Sequence, residues 1–196
     1  MAIFRHMTII ISIFVFVVWT CYRLIFPENL LLEDLILKPL VWLVPVFIVT
    51  RFKNLGFSTK NINKNICIGL AVGLLLALER VYVNKLTPSF SYIIIISAFF
   101  IAVTEEIFFR GYLLNRWLEK FKNPLIPLIL NGLFFTLTHI PIAIFVYHYY
   151  GYSLFTYLLT NFVSGFVDIY LFYRTKSIIA PITNHFVWNI FSGLFR

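Results

Sequence analysis

Seven long apolar runs, separated by short polar or basic stretches, dominate this sequence and leave it one kind of environment to fold in. A helix needs about 20 mainly apolar residues, with a range of roughly 17–25, to cross the hydrocarbon of a bilayer. The runs meet or approach that length. The first four extend from about Met7 to Phe26, Leu35 to Thr50, Ile66 to Val83, and Tyr92 through Arg110 to Trp117. A fifth starts after Asn123-Pro124 and includes His139 before Pro141; the sixth covers Leu154 to Tyr173, and the seventh Ile178 to Phe195. Pro141 to Tyr150 has two readings, a continuation of the fifth span past a proline kink or an interfacial segment rich in Tyr. The expectation is an all-α, polytopic transmembrane helical bundle of about seven spans, within a range of roughly six to eight.

Composition closes the soluble alternative. Hydrophobic residues make up 61% of the 196 residues, charged ones 12%, and the mean hydropathy is +0.90. A soluble domain carries about 25% charged and 45–50% apolar residues, and a soluble fold of this composition would leave large apolar patches in water. The net charge of +8 would point to nucleic acid in a soluble protein. Here the basic residues sit in short loops, where they set topology and meet anionic headgroups, so membrane lipid is the expected partner and nucleic acid is not.

With the N-terminus inside, the inner segments hold Arg5, Arg51, Lys53, Lys60, Lys64, Arg116, Lys120, Lys122, Arg174 and Lys176. The outer segments hold only Arg23, Lys38, Arg80, Lys85 and Arg196. That excess favours a cytoplasmic N-terminus, with the chain in a cell membrane as a multi-pass protein. Met1 to Cys21 looks like a signal peptide, with Arg5 ahead of an apolar run, but no small-residue cleavage site comes after it, and it reads as a retained first span. Cys21 and Cys67 lie in apolar stretches without metal or disulfide spacing. No repeat or linker divides the chain, so residues 1–196 are expected to form one integral membrane domain.

Charges inside a span are costly and therefore informative. Glu105, Glu106 and Arg110 fall within the fourth apolar run. Glu106 and Arg110 share a helix face and can pair, whereas Glu105 points about 100° away. One carboxylate is thus expected to be neutralised by Arg110, leaving the other to meet a different helix. A carboxylate in such a site can serve as a general base toward water; the same triplet can also be a structural ion-pair knot. Phe135 and His139 lie one helical turn apart on the fifth span, with Asn131 two turns before His139, and His185 and Asn189 stand likewise on the seventh. Two histidines and a glutamate pair on three separate hydrophobic helices can converge on one polar cavity. Asn161, Ser164 and Asp168 form a polar stripe on the sixth span, lining that cavity or joining helices, with Asp168 the one to test. Glu79, Arg80 and His148 read as interfacial. No His-Glu-x-x-His, Cys–His neighbour or Gly-x-Ser-x-Gly is present.

Glu-Glu-x-x-x-Arg (Glu105, Glu106, Arg110), Phe-x-x-x-His (Phe135, His139) and His-x-x-x-Asn (His185, Asn189), in that order on successive hydrophobic helices, resemble the CPBP (Abi) family of intramembrane peptidases. That family includes type II CAAX prenyl endopeptidases and bacterial proteins linked to bacteriocin processing or self-immunity. The motifs fall within residues 92–189, and the first three spans match nothing in it. The resemblance implies that Glu105 activates the attacking water with help from His139, supported by Glu106, Arg110 and Phe135. It implies that His185 and Asn189 donate hydrogen bonds to the developing oxyanion. It requires no cofactor; zinc held by Glu105, His139 and His185 is the alternative.

The expected function is a glutamate-dependent intramembrane endopeptidase acting on a peptide or membrane-associated protein. A prenylated C-terminal cysteine is a eukaryotic demand, so a small exported peptide, or bacteriocin self-immunity, is the expected context for this short chain. Two other classes remain: a non-catalytic peptide-binding immunity or scaffold protein, and a small transporter relaying protons through Glu105 and Asp168. Broken spans in matching halves, the mark of many transporters, are absent from the sequence. Nothing in it indicates an oligomeric state.

Overall fold

Inside hydrocarbon a chain must satisfy its own backbone hydrogen bonds, and a helix does so within one segment. The computed structural model describes residues 2–26, 30–58, 60–84 and 91–194, and these form seven helical passes with no strand among them. The first pass is α1 (Ala2–Ile25). The second comprises α2 (Leu30–Leu32), a π-helical turn (Glu33–Leu37) and α3 (Lys38–Thr50). The third is α4 (Ile62–Asn84), and the fourth runs through α5 (Tyr92–Glu106), a π-helical stretch (Ile107–Leu114) and α6 (Asn115–Lys120). The fifth is α7 (Leu125–Leu137) with α8 (Ile140–Phe145), the sixth α9 (Gly151–Thr175) and the seventh α10 (Ile179–Leu194).

Among the described residues, four helical stretches are long and apolar enough to cross a membrane, namely Met7–Ile25, Tyr92–Lys120, Leu125–Phe145 and Gly151–Thr175. Ile62–Leu78 is a shorter apolar helix. The two other passes fall short for visible reasons. The α10 helix has only 16 residues, and the second pass carries Glu33, Asp34 and Lys38.

The outer surface of the passes is apolar, and a buried polar cluster sits within an otherwise apolar core. Ile9, Ile13, Val17, Leu75, Leu78, Ile129, Leu133 and Phe155 are exposed, as lipid-facing positions require. Arg23, Glu33, Lys38, Glu105, Glu106, Arg110, Asn131, Asp168, Asn184 and His185 are buried. Two members of this inner set correct the reading of the loops. Arg23 and Lys38, expected among the outer loop cations, are buried counter-ions: Arg23 pairs with Glu33, and Lys38 with Glu105. Lys85, Arg196 and the side chains of Arg5, Glu79 and Arg80, all expected in loops or at the interface, lie outside the described residues.

The ambiguous stretch after His139 resolves into both readings in turn. The α7 helix ends at Leu137, a turn carries Thr138 and His139, and Pro141 then sits in the first turn of α8, where a missing N–H costs nothing. Residues 146–150 are irregular, and Tyr147 and Tyr149 pack on Tyr157 of α9.

The α10 helix packs on α4, α5 and α9, and its contact with α4 is the most intimate in the fold. Gly69 and Gly73 make it possible. A Cβ on Gly69 would lie 2.7 Å from the Thr183 Cβ and closer still to the Ala180 carbonyl oxygen, and one on Gly73 would lie 2.8 Å from the Val187 Cβ. This is small-xxx-small packing, in which glycines let two backbones approach. It fixes the depth and rotation of the helix that carries Asn184, His185 and Asn189.

Candidate active site

Glu105 and Glu106 end α5, and the backbone then winds into the π-helical stretch Ile107–Leu114. The sequence predicts an ordinary helix here. A π-helical stretch replaces i→i+4 bonding by i→i+5 and is found most often at functional sites. It leaves carbonyls in need of other donors. Asn131 of α7, fully buried, donates from Nδ2 to the Phe109 carbonyl (2.9 Å).

Arg110 lies in this stretch with no exposed surface. Its Nη2 donates to the Gly165 carbonyl at 2.7 Å, and its Nη1 lies 3.1 Å from Glu106 Oε1. The guanidinium also covers the Phe135 ring at 4.7 Å. Asp168 Oδ2 is 3.9 Å from Arg110 Nη2, while Asp168 Oδ1 accepts from Asn184 Nδ2 at 2.7 Å. One guanidinium therefore serves two carboxylates and a carbonyl, which is what makes a buried charge of each kind tolerable.

His185 stands between the two glutamates. Its Nδ1 donates to Glu106 Oε1 at 2.8 Å, and its Nε2 lies 3.8 Å from Glu105 Oε2. Glu105 is held from the other side, for its Oε1 accepts from Lys38 Nζ. Its Oε2 is buried and has no hydrogen-bond partner among the described residues. One carboxylate oxygen is clamped and the other is presented to His185.

His139 occupies the turn after α7. Its Nδ1 faces the Phe135 carbonyl at 2.8 Å, a contact only an N–H can make, so Nε2 is left as the basic nitrogen. Its ring lies 4.6 Å from that of Phe135, which in turn faces His185 at 6.2 Å. Asn189, one turn beyond His185, has a buried Nδ2 without a hydrogen-bond partner among the described residues.

The structure thus gathers Glu105, Glu106, Arg110 and His185 in one cluster, with the Phe135 ring against both His185 and His139. Asn189 lies on the same helix as His185 without a direct bond to the cluster. The pairing of Glu106 with Arg110 and the separate partner for Glu105 agree with the helix-face reading. Of the polar stripe on α9, Asp168 joins the cluster, while Asn161 and Ser164 bond, among the described residues, to carbonyls of their own helix. Lys38 and Asn184 were missed. Asn184 precedes a histidine already singled out and could have been found as its neighbour. Lys38 carries the signal of a charge within an apolar run, as Arg110 does, but it stands near the start of its run, where it counts with the loop cations.

Metal chemistry meets a specific obstacle. The ligand-type atoms that converge among the described residues belong to Glu106, Asp168 and His185, all within 4.8 Å of one another. The cationic position beside them is taken by Arg110, 3.1 Å from Glu106 and 3.9 Å from Asp168. A divalent ion placed there would face a guanidinium at contact distance, so Glu106, Asp168 and His185 do not fit a metal.

A family model described as type II CAAX prenyl endopeptidase Rce1-like matches residues 87–191. The match spans more than half of the chain and contains Glu105, Glu106, Arg110, Phe135, His139, His185 and Asn189. No curated protein and no solved structure matches the chain.

Proposed function

Because the chain belongs to the type II CAAX prenyl endopeptidase Rce1-like family of membrane peptidases, we propose that it is an intramembrane endopeptidase in which Glu105 activates water. The observation that carries this reading is the division of labour between the two Glu105 oxygens. Oε1 is committed to Lys38, and Oε2 is buried, unpartnered among the described residues and 3.8 Å from His185 Nε2. That 3.8 Å separation is one that a water, once admitted to the site, would bridge at ordinary hydrogen-bond lengths of about 2.8 Å to both atoms.

In this mechanism the water, assisted by His139 through its basic Nε2, gives its proton to Glu105 as it attacks the scissile carbonyl, and the protonated Glu105 passes that proton to the leaving amine as the C–N bond breaks. The oxyanion that forms accepts hydrogen bonds from His185 and from the Asn189 amide, which has no other acceptor to leave among the described residues. Glu106 holds the His185 ring through Nδ1, and Arg110 in turn holds Glu106. Electrostatic groups fixed in advance, in a site shielded from bulk water, contribute most of the barrier lowering in acyl transfer.

The substrate proposed is a small exported peptide or a membrane-associated protein tail that reaches the bundle from the bilayer, with bacteriocin processing or self-immunity as its context. The chain acts as one integral membrane domain with its N-terminus on the cytoplasmic side.

Purified protein in detergent, assayed against a quenched peptide library with and without a farnesylated cysteine, tests this directly. Glu105→Gln and His139→Ala should each abolish cleavage, and a chelator should leave the wild type unaffected. Chelator-sensitive cleavage restored by zinc would replace the glutamate mechanism. Cleavage that survives both substitutions would refute it, and a folded wild type that cleaves nothing while both variants keep the cellular phenotype would point to peptide binding instead.

A further inference from the structure

Lys38 lies in the second helical pass, outside residues 87–191, yet its ammonium enters the cluster as the direct partner of Glu105. We propose that Lys38 is a positioning residue for the reaction. It clamps one oxygen of Glu105 so that the other faces the attacking water, and the N-terminal passes thereby complete the site. The inference rests on the role proposed above for Glu105.

A lysine is energetically demanding here. It is 7% exposed in an apolar protein, where a buried cation is tolerated only with a partner. The Lys38 ammonium also lies over two indole rings, Trp19 of α1 at 5.4 Å and Trp42 of α3 at 5.0 Å. Aromatic faces attract a cation without offering a directional acceptor. They hold the ammonium in place beside Glu105 without taking up its hydrogen bond. The cage is itself fixed, because Trp42 packs on Phe108 and Phe109 of the π-helical stretch just after Glu106, at 5.2 and 5.6 Å.

The backbone is shaped for the same end. Lys38 comes directly after the π-helical turn Glu33–Leu37, and Pro39 is next. A π-turn admits one extra residue and so rotates the rest of the helix about its axis. Both charged partners of the glutamate pair, Lys38 and Arg110, thus stand in or next to π-helical segments. A structural ion pair would be satisfied by any cation that neutralises Glu105. What distinguishes this one is that a single point charge engages Oε1 and leaves Oε2 without a partner among the described residues.

That distinction supplies the test. Arginine keeps the charge, but its planar fork grips both oxygens of a carboxylate. The full chain in detergent is assayed on a library peptide that the wild type cleaves, with thermal unfolding measured in parallel, for Lys38→Arg, Lys38→Met and Glu105→Gln. Lys38→Arg is expected to unfold near the wild-type temperature and keep KM within about twofold, while kcat falls at least about tenfold. Lys38→Met is expected to lose about 100-fold in kcat, the cost of a catalytic group misplaced by about 1 Å. If Lys38→Met fails to fold, Lys38→Arg decides alone. Wild-type kcat in a folded Lys38→Arg would make Lys38 a plain counter-ion and overturn the proposal. Activity persisting in Glu105→Gln would instead overturn the role of Glu105 itself.

Discussion

Replacing Gly69 with alanine adds one methyl group at the closest point between α4 and α10, far in sequence from any residue assigned to chemistry. The new Cβ would lie 2.7 Å from the Thr183 Cβ and 3.2 Å from the Asn184 nitrogen. Carbon atoms pack at about 3.5–4.0 Å, so the helices must separate locally by about 1 Å. Asn184 and His185 are the next residues on α10, and their bonds to Asp168 and Glu106 measure 2.7 and 2.8 Å. A shift of that size stretches both to about 3.7 Å, beyond hydrogen-bond length. Overpacking of this kind costs about 1–3 kcal/mol, a fall of roughly 2–12 °C in Tm for a chain of this length. A misplacement of about 1 Å at the chemistry costs about 100-fold in rate. Thermal unfolding and peptide cleavage on the same detergent preparation measure both effects. Gly151→Ala is the control: its φ of +54° makes alanine strained, but its Cβ meets nothing within 4 Å, so stability should fall slightly and kcat should not. Wild-type Tm and kcat in Gly69→Ala would refute the claim that glycine packing sets the position of His185.

Other substitutions separate stability from chemistry. Arg110→Met removes the cation shared by Glu106 and Asp168 and should destabilise by about 3–5 kcal/mol, the penalty for stranding a buried charge, seen as loss of folded protein on heating. Asn189→Ala breaks no hydrogen bond of Nδ2 among the described residues, so Tm should hold within about 2 °C while kcat falls about 100- to 1000-fold if its amide serves the oxyanion. Asp168→Ala leaves the Asn184 amide without its acceptor and should cost about 1–3 kcal/mol, with Asp168→Asn milder because it keeps an oxygen there.

The spans were legible because lipid imposes a length and a polarity on every one of them, and the seven passes fall close to where the apolar runs lie. The relation of Glu105, Glu106 and Arg110 was legible too, since four residues of separation keep two side chains on one side of a helix. The features that escaped were local in each case. Periodicity cannot reveal that the helix after Glu106 loosens into π form, because the apolar run Ile-Phe-Phe continues unchanged through it. Nor did Gly69 and Gly73 stand out, although their spacing is the one that lets helices touch.

Lys38 shows where the limit lies. Its charge is visible in the sequence, and so is its place at the edge of an apolar run, but a lysine at a span end ordinarily reaches back to the headgroups. The fold starts the second pass earlier than the apolar run, at Leu30, which carries Lys38 deeper into it and across from Glu105. Read as sequence, the two ends of this ion pair fall under separate explanations: one under topology, the other under chemistry. A charge-counting rule and a catalytic motif each treat their residue as self-sufficient. Burial removes that independence, because a carboxylate and an ammonium withdrawn from water are each tolerable only in the presence of the other. The N-terminal passes, which carry none of the family's motifs, are thus tied to the motif-bearing half by the ion pair between Lys38 and Glu105.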